Sequence, residues 1–235
     1  MQQNSSIIIE RRYRGPADSG NGGYSCGVLA AAINGPAEVT LKAPPPLDTQ
    51  LRIEKDENGA RLFHGPTEIA TAEPAIVDVV PPAAPTLADA ADAMTRYIKP
   101  EEHILPECFV CGPHRDEGDG LRLFTGPDGA GALAAATWTP DAEYSDDNGN
   151  VRPEIVWAAL DCPGYFGLMK KGLPALLGRM SADIKHDLRS GEPYVVAGWK
   201  TGEDGRKNFA ATAIYNADGE VLAVSKAIWI ALKTG

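Results

Sequence analysis

The last third of the chain constrains its fold most. In RMSADIKHDL, Met180, Ala182, Ile184, His186 and Leu188 fall on one side of an extended backbone, and Ser181, Asp183, Lys185 and Asp187 on the other. Side chains of a strand alternate between faces, so this period of two predicts a half-buried strand. YVVAGWKT, NFAATAIY and EVLAVSKAIWIAL read as three more strands, separated by the turn sequences GEDG and NADG. Connections that short join antiparallel neighbours, because parallel strands need a long crossover. His186, on the apolar face, reads as a histidine satisfied in the core and not as a ligand.

One helix precedes these strands. In PEIVWAALDCPGYFGLMKKG, Pro153 suits a first helical position and Glu154 the positive end of the helix dipole. Before it, LRLFTGPDGAGALAAATW reads as a hairpin turning at Gly126, Asp128 and Gly129. The first half repeats the plan in shorter form: strand SIIIERRY, a glycine loop, helix GYSCGVLAAAI, then AEVTLKA, TQLRIEK and ARLFHGPTEIATA. Its helix opens at Gly23, as the second opens at Glu154. A helix wrapped by an antiparallel sheet, twice, is an α+β layout. The divider is rich in Ala, Asp and Pro, beginning PPAAP and carrying the short helical pattern TLADAADAMTRY. The expected organisation is one unit at 1–80, a linker at 81–102 and a second unit at 103–235.

Charge narrows the partners. With 32 acidic against 22 basic residues the formal net charge is −10, a field that repels phosphate backbones, so nucleic acid is not expected. Arg11, Arg12 and Arg14 beside the glycine loop, and Lys170 and Lys171 after the second helix, are the local basic clusters. They read either as an anion site or as solvated cations. The start of the chain has no signal-peptide pattern and no run is long enough to span a membrane, which predicts a cytoplasmic protein.

The glycine loop DSGNGGYSCG admits three readings. A phosphate-binding loop fails on spacing, because Ser25 stands where a third glycine is required and no G-K-[ST] follows. Gly23-Tyr24-Ser25-Cys26-Gly27 matches G-x-S-x-G, the hydrolase elbow, but no buried strand leads into it, so a Ser25 nucleophile is the lesser reading. The third uses the backbone. The first N–H groups of a helix lack partners, and bare Gly22 and Gly23 would let a carbonyl oxygen dock against them as an oxyanion hole. The same glycines would also serve close packing.

Cys108 and Cys111 form a single C-x-x-C with His103 and His114 nearby, and four cysteines make no disulfide framework in a chain of 235 residues. Lacking a second ligand pair along the sequence, the motif is expected to hold no zinc, and no cofactor is expected elsewhere.

Three segments carry a resemblance. NGGYSCGVLAAAI is similar to the helix-opening segment of hotdog-fold acyl-CoA thioesterases, IVWAALDCPGYFG to the central helix of their second half, and CFVCGPHRDEGDGLRL to the start of a hotdog unit. Two units in one chain resemble the double-hotdog type, of which type II acyl-CoA thioesterases are the familiar case. The resemblance implies two central helices lying antiparallel, each wrapped by its sheet, with the sheets joined side by side and the site between the units. It implies an acyl-CoA-type thioester bound at Gly22 and Gly23, with Asp161 as base or nucleophile. Asn21, Tyr24 and Arg14, around the glycines, are the expected substrate contacts. Pro163 cannot donate to the carbonyl of Ala159 and should kink the helix beside Asp161. The glutamine that this family carries in its last strand has no counterpart near Ile228, which leaves a non-hydrolytic acyl-CoA or small-ligand binder as the alternative; Asn21 and Ser225 are the polar residues at hand. A double unit is already a pseudo-dimer, and a homo-oligomer is compatible with it.

Overall fold

Alternating apolar residues in the first half form β1 (Gln3–Ile8), β2 (Ala37–Leu41), β3 (Gln50–Lys55), β4 (Ala60–His64) and β5 (Thr67–Pro74), with α1 (Gly22–Ala30) between the first two. The divider contributes α2 (Leu87–Met94). The second half supplies β6 (Gly126–Pro127), β7 (Ala134–Trp138), α3 (Pro153–Ala159), α4 (Cys162–Gly167), β8 (Ala175–Ile184), β9 (Tyr194–Asp204), β10 (Lys207–Tyr215) and β11 (Val221–Ala231). These elements come from a computed structural model that describes residues 3–170 and 172–233; Lys171 therefore lies outside the described residues.

All strands belong to one antiparallel sheet, ordered β1-β3-β4-β5-β2-β8-β11-β10-β9-β7-β6. Within the described sheet the two halves are joined where β2 pairs with β8, from Ala37↔Ala182 to Thr40↔Arg179. Val39 and Met180 face each other there, both fully buried, so the joint continues the core instead of interrupting it. Burial of such pairs stabilises by about 1.5–3 kcal/mol per large apolar side chain.

The helices α1, α3 and α4 share one face of the sheet. Gly27 has Glu154 Cα 2.6 Å from where its Cβ would stand, while Gly23 would meet Trp157 and Asp161 near the end of α3. The two helices therefore run antiparallel, and the glycines on α1 set their close approach. The second half of the sheet is also covered on its other face. Ala90 and Ala93 of α2 pack with Leu133, Ala135, Val195, Ala197 and Tyr215, whose strand neighbours Ala134, Ala136, Val196 and Ile214 face the opposite way. That accounts for the unbroken small-apolar run in β7, since a strand buried on both faces need not alternate. The divider is docked, not free: Tyr215 Oη donates to the Pro82 carbonyl at 3.1 Å.

A capping box holds the start of α2, with Thr86 Oγ1 accepting from Asp89 N–H and Asp89 reaching back to Thr86 N–H. Thr86→Ala should cost about 1 kcal/mol, read as a lower urea midpoint at unchanged m-value. An unchanged midpoint would mean that α2 is held by packing alone.

Two expectations need correction. The hairpin at 121–138 keeps only two residues of its first strand, because Leu121 and Leu123 donate to Phe109 and Val110 and not to a neighbouring strand. His186 is exposed, with Nε2 3.7 Å from Glu220 Oε1. Lys185 and His186 both donate to the Leu222 carbonyl, so β8 ends at Ile184 and the alternation stops before the histidine.

Candidate active site between the helices

Asn21 caps α1, its Oδ1 accepting from Tyr24 N–H at 2.8 Å. Opposite it, the second helix is broken. Asp161 N–H donates to Ala158 at 3.1 Å, tightening the last turn of α3, and α4 restarts at Cys162 with Pro163 in its first turn. Pro163 has no N–H to continue the ladder, so the break leaves Asp161 at the junction.

The break brings Asp161 to the bare end of α1. Its Oδ2 accepts from Gly23 N–H and from Asn21 Nδ2, both at 2.9 Å. Its Oδ1 is buried without a partner. Burial pushes the carboxyl up to about 7, against the downward pull of the hydrogen bonds from Gly23 and Asn21. At neutral pH such a group exchanges protons readily, which suits a general base. Gly23 must be glycine, because a Cβ would stand 2.4 Å from Asp161 Cβ and 2.6 Å from the Trp157 carbonyl oxygen.

The expected oxyanion hole changes accordingly. Gly23 N–H is spent on Asp161, and Tyr24 N–H on Asn21. Gly22 N–H is the first-turn donor left without a partner among the described residues, and Gly22 lines the adjoining cleft.

That cleft has a volume of about 310 Å³. Asn21, Gly22, Asp161, Cys108, Cys111 and Cys162 line one part of it, and the rest is mostly apolar, with Leu177, Phe166 and Trp229 prominent beside Lys42, Glu102 and His103. Of the expected contacts, Tyr24 and Arg14 are not among the lining residues. Tyr24 is buried, stacked on Tyr13 at 4.0 Å and edge-on to Phe109, so it packs the core. Arg14 is ion-paired with Glu107. Arg11 pairs with Asp48, Arg12 with Glu143, and Lys170 with Glu203, so these cations neutralise acidic neighbours and form no anion site.

Ser25 Oγ is buried in the first turn of α1 with no hydrogen-bond partner, so no base activates it and the elbow reading falls. Ile228 does not face the cleft. It lines a separate depression with Glu38, Arg179 and Lys226, because along β11 Ala227 and Trp229 alternate inward while Lys226 and Ile228 face the other way. From β11, Trp229 and Ile230 line the cleft instead. Ser225 Oγ is turned to the Leu160 carbonyl at 3.4 Å.

Two thiols are neighbours along the chain, and the fold adds a third, Cys162, from the helix break. The Sγ atoms of Cys108, Cys111 and Cys162 all lie within 4.8 Å of one another, which removes the ground on which zinc was not expected. Hydrogen bonds from Cys111 and Cys162, with the backbone N–H groups of Cys111 and Val110, hold the Cys108 thiol well below the usual thiol range. The available signal was a cysteine directly after Asp161.

No family model matches the sequence, and no curated protein matches it. Solved structures do match its shape. A hot dog fold protein of unknown function from Alicyclobacillus acidocaldarius covers 100% of this chain with 94% of its own length, at 14% identity and a TM-score of 0.58. The fold is a double hotdog. The tesB protein of Mycobacterium avium subspecies paratuberculosis aligns over 98% of this chain and 93% of its own, at 11% identity and TM-score 0.64. A candidate thioesterase from Novosphingobium aromaticivorans aligns over 98% and 96%, at 9% identity and TM-score 0.67. Identities this low carry the double-hotdog architecture and nothing about chemistry. Among the described residues, no helix of this double hotdog is long and apolar enough to cross a membrane.

Proposed function

We propose that this double-hotdog protein hydrolyses acyl thioesters in the cleft between its helices. The observation that carries the reading is Asp161: a buried carboxylate, oriented by two donors from the other unit, with one oxygen unpartnered beside an apolar cleft. The acyl chain lies along the apolar wall and the carbonyl oxygen approaches Gly22 N–H, where developing negative charge is favoured by a preorganised donor. Asp161 then takes a proton from a water that attacks the carbonyl carbon, the C–S bond breaks and the proton passes to the departing thiolate. In the nucleophilic route Asp161 attacks the carbon itself, the thiolate leaves, and water opens the resulting anhydride to free the acid. Asn21 acts as a positioning residue, since its amide holds Asp161 Oδ2. Because Arg11, Arg12 and Arg14 are engaged by acids, they are not the cations that would recognise the phosphates of CoA.

A binder without turnover is the second reading, and Gly23 favours it: its N–H, expected to face substrate, is occupied by Asp161. A hydrolysis screen over short, medium, long and aromatic acyl-CoAs, alongside simpler acyl thioesters, separates the two. Turnover on any of them supports the hydrolase. Saturable binding with no turnover supports the binder and overturns the proposal.

A further inference from the structure

We infer that Cys108, Cys111 and Cys162 form a binding site for one thiophilic metal ion of the zinc class, with its fourth coordination position open to the cleft. The inference stands on the cysteine geometry and is independent of thioester hydrolysis. Tetrahedral coordination at the usual zinc–sulfur distance of about 2.3 Å separates two sulfurs by about 3.8 Å. Cys108 Sγ and Cys162 Sγ are 3.7 Å apart, and the third thiol lies within 4.8 Å of both. Three sulfurs are thus brought to coordination spacing with less than about 1 Å of adjustment, and soft thiolates select zinc, copper(I) or cadmium over hard cations.

The surroundings are built for these positions. Gly112 N–H donates to the Cys108 carbonyl at 2.9 Å, closing the C-x-x-C turn. A Cβ on Gly112 would stand 2.5 Å from Cys108 N, so only glycine allows this turn. Tyr97 Oη donates to the Cys111 carbonyl at 2.6 Å and holds the loop from the other side. Asn21 Nδ2 lies 3.8 Å from Cys108 Sγ and 4.0 Å from Cys162 Sγ, an outer donor facing sulfurs that would carry charge. His103 is not the fourth ligand. Its Nδ1 accepts from Leu105 N–H, which leaves the ring proton on Nε2. All three cysteines line the cleft, so an ion has access from solvent and its free position faces that space.

The test is a titration of reduced, untagged, metal-stripped full-length protein with Co²⁺, followed by displacement with Zn²⁺. The expected result is one Co²⁺ per chain, intense visible bands of tetrahedral cobalt, near-ultraviolet thiolate-to-cobalt charge transfer, and loss of both on adding one equivalent of Zn²⁺. Cys108→Ser, Cys111→Ser and Cys162→Ser should each weaken binding by more than the roughly tenfold that losing an outer-shell partner costs. Cys26→Ser should leave it unchanged, because Cys26 is buried outside the cluster. No charge-transfer band in the wild type, or a band that survives Cys162→Ser, overturns the site whatever the folding of the other variants.

Discussion

Asp161→Asn is expected to lower thioester turnover at least about a hundredfold while leaving the melting temperature at or near that of the wild type. Both halves of that expectation come from the same geometry. Oδ2 accepts from Gly23 N–H and Asn21 Nδ2, and an asparagine Oδ1 in its place accepts the same two bonds. The amide nitrogen then falls where Oδ1 is buried without a partner. Nothing that holds the helices together is lost, and a desolvated charge is removed. What disappears is basicity and nucleophilicity, so the loss should fall on kcat while KM changes little. Turnover and thermal melting on one preparation decide between the two roles. Full activity with a lowered melting temperature would make Asp161 a structural carboxylate and end the hydrolytic proposal in its present form.

Gly23→Ala tests how that carboxylate is held. The added Cβ would lie 2.4 Å from Asp161 Cβ and 2.6 Å from the Trp157 carbonyl oxygen, neither of them the far end of a flexible side chain. Alanine's better helix propensity is worth up to about 1 kcal/mol, whereas forcing atoms into packed space costs about 1–3 kcal/mol. Overpacking wins, so the variant should unfold at lower urea. Because α1 and the α3–α4 break must move apart, Asp161 shifts relative to Gly22, and a displacement near 1 Å can cost about a hundredfold in rate. Gly129→Ala is the control: its Cβ meets nothing within 4 Å, and stability should stay within about 0.5 kcal/mol. If Gly23→Ala folds normally and turns over like the wild type, the close contact between α1 and Asp161 does not position the reacting group.

Local chemistry was legible in the chain. Strands β8 to β11 were visible because alternation and turn residues act over two to five positions, which is the range at which sequence speaks directly. The helix break near Asp161 was equally local, following from the missing N–H of Pro163. The segments around Gly23 and Asp161 also carried the resemblance that the double-hotdog fold bears out.

What the sequence could not settle were questions of partner and face. His186 keeps the alternating pattern but falls beyond the point where two N–H groups share the Leu222 carbonyl, so its face follows the end of the ladder and not its place in the pattern. The place of the family's glutamine was matched near Ile228, but that residue faces away from the cleft and its neighbour Trp229 lines it. The bare glycines were read as open to a ligand, and at Gly23 the space is filled by Asp161, 138 residues away. Cys162 completes a thiol cluster with a loop 54 residues distant. The sequence by itself determined the last four strands, their antiparallel connections and the helix break, because each depends on neighbouring residues. Only the tertiary structure decided which N–H stays free, which strand residue meets the cleft and which sulfurs converge. Those outcomes depend on how two helices and a bulged sheet pack together, and a few ångströms of packing reassign them without altering any local pattern.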